Sequence, residues 1–304
     1  MEASALVRTG DPDVIAHAWT SGHARINPPS MIPQRVVKEK ARSISLVPAG
    51  ALGKRRKAWK AASVYGDEFH PGGLSVVGDL SPADMKAVVV YALEFEDMLI
   101  RGVGGSPKSI PYRIKIFADE REFRTVASKV GAANALSYYH PGTKDIVAYF
   151  DTKQLTARFP GSPVMTHENL QSILSHEFTH AYMDIVYSRT SPLWFAEGIA
   201  EYYQHFEWRG GQAAGGALNL KELQILSNNE PLPLVEFMSV PRERMYGPEF
   251  PQLYAQAWAV THYLKSYHQD AIADLIETGK TSARGLEAGW RLHFREMMAA
   301  ASMA

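Results

Sequence analysis

From about residue 62 onward, apolar positions recur in short, readable patterns. Leu74–Gly78 reads as a strand. Ser81 in a capping position and Pro82 at the first helical position predict a helix to about Arg101. Its apolar face is Val88, Val89, Tyr91, Ala92, Phe95 and Met98, and Gly102–Pro107 ends it in a turn. Tyr112–Phe117 alternates as a half-buried strand, and Asp119 starts a helix to about Val130. Ala135–Tyr139 and Ile146–Phe150 flank a turn at His140–Thr143 and predict a hairpin. Leu170, Ile173, Leu174, Phe178, Ala181 and Ile185 then fall at helical spacing, with no Gly or Pro from Glu168 to Arg189. After a short turn near Ser188–Ser191, Ser191 as cap and Pro192 as first residue predict a second helix. Phe195, Ile199, Tyr202 and Phe206 form its packing face. Arg209–Gly216 is glycine-rich and reads as a loop. Beyond it the chain is largely helical, over 220–226, 234–238, 250–267, 270–278 and 282–298. Strands followed by a helical lobe predict an α+β fold with a small, mostly antiparallel sheet.

The region before residue 61 reads differently. Residues 34–60 carry nine basic residues against Glu39 alone, and Ser43–Val47 is a candidate short strand. Residues 1–60 are expected to be a basic, partly flexible extension, and residues 61–304 the folded domain, with the sheet and two central helices over 61–208 and the helical lobe over 217–304. Composition is ordinary for a globular domain, at 46% hydrophobic and 21% charged, and net charge is zero. No overall field therefore argues for nucleic acid. The chain has no cysteine, which excludes disulfides and thiolate metal sites. No apolar segment of signal-peptide or membrane-spanning length is found, so the default expectation is a cytoplasmic location.

The candidate chemistry lies in the helix beginning near Glu168. His176-Glu177-Phe178-Thr179-His180 reads H-E-x-x-H. Two histidines four apart stack on one helical face, where both imidazoles reach a single ion. Glu177 follows the first of them directly, beside the ion, where a carboxylate can take a proton from a metal-bound water. With 11 histidines in the chain, the pattern arises by chance in roughly one such chain in fifty, so the following segment matters.

That segment is Trp194-Phe195-Ala196-Glu197-Gly198-Ile199-Ala200-Glu201-Tyr202. Two antiparallel helices would return Glu197 to the histidines as a third ligand, leaving the fourth zinc position open for water. Glu201 has three readings: an acceptor for the ring N–H of a ligand histidine, a surface carboxylate, or the third ligand in place of Glu197.

H-E-F-T-H followed by W-F-A-E-G-I-A-E-Y resembles the gluzincin zinc metallopeptidases, in particular the peptidase-MA-like group. The resemblance is specific over residues 170–205 and looser from about 75 to 265. It implies a zincin-like fold, one zinc ion per chain on His176, His180 and Glu197, Glu177 as general base, and a peptide or protein substrate. It also implies that the edge of the preceding hairpin receives extended substrate backbone. Tyr254, in a segment resembling the tyrosine-bearing helix of that group, is the implied donor to the developing oxyanion, although a tyrosine in an apolar helix is commonly a core residue. His205, His262, Tyr203 and Tyr246 are weaker candidates, and His70 and His140 have no partner spacing. Two other functions fit the same residues: a non-catalytic peptide-binding module, and a zinc hydrolase of a non-peptide substrate.

Overall fold

A computed structural model of the chain describes residues 15–16, 64–65, 68–69, 74–78, 82–104, 112–132, 135–149, 168–187, 191–209, 212–278 and 281–302. The basic run at 34–60, the candidate strand at 43–47, the capping position 81 and the turn residues 188–190 lie outside the described residues.

The protein is α+β. Its sheet follows the order β1 (Ile15–Ala16), β6 (Ser137–His140), β7 (Asp145–Tyr149), β5 (Arg113–Phe117), β4 (Ser75–Gly78), β3 (Glu68–Phe69), β2 (Val64–Tyr65). The sheet is mixed. β4, β5 and β7 run parallel at its centre, and the antiparallel pairings lie to either side. Helix α1 (Pro82–Gly102) is the crossover that makes β4 and β5 parallel. The predicted hairpin is present as β6 and β7, with Lys144 in the left-handed region at φ 58° in its turn.

Alternation along the strands sends residues to two different cores. Ile114, Ile116, Tyr139, Ile146 and Ala148 face the larger core, shared with α1 and with α3 (Glu168–Tyr187). Tyr138 and Val147 face a smaller one, closed by Phe123 and Ala127 of α2 (Glu120–Lys129). Asp119 caps α2, accepting from the Arg121 and Glu122 amides at 2.7 and 3.0 Å. At the sheet surface Asp145 gathers Arg113 and Lys115 at 2.8 and 2.6 Å.

Helix α3 is buried on every side from Leu174 to Met183, between the sheet, α1 and α4 (Leu193–Gln204). Two of its buried hydroxyls bond within the helix, Ser175 Oγ donating to the Gln171 carbonyl and Thr179 Oγ1 to that of Ser175, while the Tyr182 hydroxyl donates across to the Gly104 carbonyl. Helix α4 begins at Leu193, one residue later than predicted. Pro192, not Ser191, is its cap, because Pro192 takes an extended ψ of 147°.

The rest of the chain forms a helical lobe of α5 (Leu220–Asn228), α6 (Leu234–Phe237), α7 (Arg242–Met245), α8 (Phe250–Tyr267), α9 (Gln269–Thr278) and α10 (Glu287–Ser302). The glycine-rich loop contains a small antiparallel pair, β8 (Glu207–Arg209) with β9 (Gln212–Ala214). Helix α10 starts at Glu287, not near Ser282: residues 284–286 form a turn with Gly285 at φ 84°. Buried from Leu253 to Leu264 apart from His262, α8 is the axis of this lobe. It lies directly against α4. A Cβ on Gly198 would come within 2.3 Å of Thr261 Oγ1 and 2.4 Å of the Ala257 carbonyl, so only glycine allows the two helices this approach. Among the described residues, no helix is long and apolar enough to cross a membrane.

Candidate metal centre

Helical periodicity in α3 and the close seating of α4 bring three ligand-type atoms together. His176 Nε2 and His180 Nε2 lie 2.9 Å apart, and Glu197 Oε2 lies 3.4 and 3.5 Å from them. All three side chains are buried. Bonds of about 2.0–2.1 Å in a tetrahedral arrangement place ligand atoms about 3.3 Å apart, so this triangle fits a single ion of zinc's size. Among the described residues it is the only such group of His, Asp and Glu.

Each member is held by further contacts. Glu177 is fully buried, and its Oε1 accepts a hydrogen bond of 2.8 Å from Ser137 Oγ on β6. The hairpin therefore borders the site through Ser137. The far edge of β6, expected to seat substrate backbone, is paired with β1. His176 Nδ1, the nitrogen turned away from the triangle, lies 2.7 Å from Gln204 Oε1 and 3.2 Å from Glu201 Oε1. Glu201 thus stands behind His176, while Glu197 takes the place facing both imidazoles. Glu197 Oε1 accepts a 2.7 Å hydrogen bond from the Tyr246 hydroxyl. The Arg242 guanidinium lies over the Tyr246 ring at 4.8 Å. Tyr254 packs edge-on against Tyr246, with ring centroids 6.4 Å apart.

The electrostatics are those of a site rich in buried carboxylate. Burial alone would lower the His176 imidazole, but its bonds to Glu197 and Glu201 and the nearby charge of Glu177 outweigh burial and push it up to about 10. Burial raises Glu177, partly offset by the two histidines and the Ser137 hydroxyl. Burial and then Glu201 push Glu222, on α5, up to about 8. Tyr246 and Tyr254 are raised well above the ordinary phenol value, by burial first and then by Glu197.

The weaker candidates separate clearly. Tyr246 touches the ligand carboxylate. His205 caps the C-terminus of α4, and burial lowers its imidazole. His262 pairs with His293 across α8 and α10 at 2.9 Å. Tyr203 is buried edge-on to Tyr202, with the Lys265 ammonium 5.8 Å from its ring. His140 accepts from the Thr143 amide in the hairpin turn, and residue 70 lies outside the described residues.

Two contacts were not anticipated from the sequence. Gln204 falls seven residues after Glu197 and three after Glu201, so the helical period that picked out both glutamates also places it on their face. Ser137 had no such signal, because a strand reaches a helix only through tertiary packing.

A family model described as "Protein of unknown function (DUF1570)" matches residues 171–284. The match takes in both ligand-bearing helices, Tyr246 and Tyr254, and leaves out Ser137. No curated protein matches the chain.

Proposed function

We propose that the protein is a zinc-dependent metallopeptidase of the gluzincin type, hydrolysing peptide bonds. One observation carries the proposal: the convergence of His176 Nε2, His180 Nε2 and Glu197 Oε2 on one point, with the buried Glu177 carboxylate on the same helical turn. The resemblance of the two helices to gluzincins supports the same reading. Two imidazoles and a carboxylate suit zinc best among common divalent ions.

When bound, zinc supplies a Lewis acid and lowers the pKa of a water. The protein's own groups do the remaining work. Glu177 takes the proton from the attacking water and passes it to the nitrogen of the leaving amine. Ser137 fixes one oxygen of that carboxylate, so the other is the one that moves the proton. Tyr254 donates its hydroxyl proton toward the oxyanion that develops on the substrate carbonyl. Tyr246 holds Glu197 by its outer oxygen. Burial of these groups keeps bulk water from competing for the same hydrogen bonds.

The test pairs elemental analysis with hydrolysis of a peptide library, for the wild type and Glu177→Gln. The expected result is about one zinc per chain in both proteins, with cleavage in the wild type alone. Equal background cleavage by two zinc-loaded proteins would remove peptide hydrolysis and leave a metal-binding protein.

A further inference from the structure

The hydrogen-bond partner of the outer nitrogen of His176 decides which nitrogen is left to face a metal. Two acceptors approach Nδ1: Gln204 Oε1 at 2.7 Å and Glu201 Oε1 at 3.2 Å. An amide has two ends, and either could face a neutral imidazole. If its NH2 did so, the ring proton would sit on Nε2, facing His180 and Glu197. Glu201 decides between the two arrangements. A carboxylate oxygen this close to Nδ1 is satisfied by a proton on that nitrogen. The Gln204 oxygen must then face the ring. Its Nε2 faces the other way and donates to Ser172 Oγ at 2.7 Å, one turn before His176 on the same helix. Gln204 is itself buried.

We propose that Gln204 is the positioning residue for the metal centre: pinned by Ser172, it holds the Nδ1–H of His176 and so turns Nε2 toward the place an ion would take. The inference rests on the metal-site part of the function above and not on peptide hydrolysis. A neutral acceptor suits this place. Glu177, Glu197 and Glu201 already bring three carboxylates to the site, and an amide gives the shorter bond without adding a fourth charge.

The experiment uses the full chain and four variants: Gln204→Leu, Gln204→Glu, Ser172→Ala and Glu201→Gln. Zinc affinity is measured by competition with a chromophoric chelator. The Nδ1–H proton of His176 in the zinc-loaded protein is followed by nitrogen-15-resolved NMR. Gln204→Leu is expected to bind zinc about 10–100-fold more weakly and to lose the protected Nδ1–H signal. Gln204→Glu keeps an acceptor oxygen beside Nδ1 and is expected to bring back the Nδ1–H signal, with affinity recovered in part because the amide's donor to Ser172 is gone. Ser172→Ala frees the amide to turn and moves both readouts the same way by less. Wild-type affinity and an unchanged Nδ1–H signal in Gln204→Leu, with the loss confined to Glu201→Gln, would overturn the proposal in favour of the carboxylate. If Gln204→Leu does not fold, unchanged affinity and signal in Ser172→Ala would overturn it equally. Zinc binding in the expected order without peptide cleavage removes the hydrolase reading alone. Absence of zinc from the folded wild type removes both.

Discussion

Ser137 Oγ donates to Glu177 Oε1 at 2.8 Å, joining the last strand pair of the sheet to the helix that bears both histidines. The bond is buried at both ends, and it fixes the rotation of the Glu177 carboxylate proposed to move the proton. Ser137→Ala should therefore leave zinc content unchanged and lower kcat by about tenfold or more, since hydrogen bonds to charged groups are worth about 1.5–3 kcal/mol. KM should move little. Steady-state kinetics with elemental analysis check both, and an unchanged kcat would remove Ser137 from the mechanism.

Tyr246 bonds to Glu197 and Tyr254 packs edge-on against Tyr246, so the two should fail differently. Tyr246→Phe loosens the ligand's outer oxygen and should weaken zinc binding by about tenfold or more. Tyr254→Phe should keep zinc and lose about 10²–10³-fold in kcat, the usual cost of an oxyanion donor. Chelator competition and kinetics on the two variants separate the roles. The reverse pattern would exchange them.

Gly198 permits the approach of α4 to α8. Gly198→Ala should cost about 1–3 kcal/mol in stability, because the added methyl meets both the Ala257 carbonyl and the Thr261 hydroxyl. The strain falls on the residue next to Glu197, so zinc affinity should drop as well. Thr261→Ala in the same chain relieves the side-chain contact but not the backbone one, and partial recovery is expected. Denaturant unfolding and chelator competition report the two effects.

His262 gives a pH dependence away from the metal. Burial first, and then neighbouring His293, lower its imidazole from 6.5 to about 4. The unfolded chain therefore takes up a proton that the folded chain refuses. Stability is fully present above the unfolded value near 6.5 and falls as pH drops from there toward 4. Between pH 7 and pH 5 the loss is about 2 kcal/mol. His262→Gln should flatten the profile over that window. Comparing the variant with the wild type cancels the contribution of the metal site, and parallel profiles would sink the assignment.

How much of this was legible in the sequence follows from the range of each interaction. A period of 3.6 placed His176, His180, Glu197 and Glu201 on the right faces of two helices, and it traced α8 from Phe250 to Tyr267 without error. The same arithmetic reached Gln204 but gave no reason to single it out, since a glutamine on a helix is ordinarily a surface residue. Start positions failed where one backbone angle decided them. Pro192 takes an extended ψ and caps α4, and the turn at Gly285 delays α10 by five residues. The parallel centre of the sheet was hidden for a different reason. Nothing local in β4, β5 or β7 states which strand is its neighbour; α1 crossing between β4 and β5, and α2 with β6 between β5 and β7, fix that direction. Ser137 belongs to the same class, a solitary residue whose partner lies 40 positions away, whereas Tyr246 was named only as a weaker candidate because its partner lies 49 positions away.

The close seating of α4 on α8 has a consequence for how the protein handles its ion. The third ligand is set in place by the Gly198 contact, a feature of the protein alone. A third ligand seated by helix packing is expected to let folding precede loading, unlike in small domains that collapse only around their metal. A chain stripped of its ion keeps a ready-made socket and can be refilled without being rebuilt.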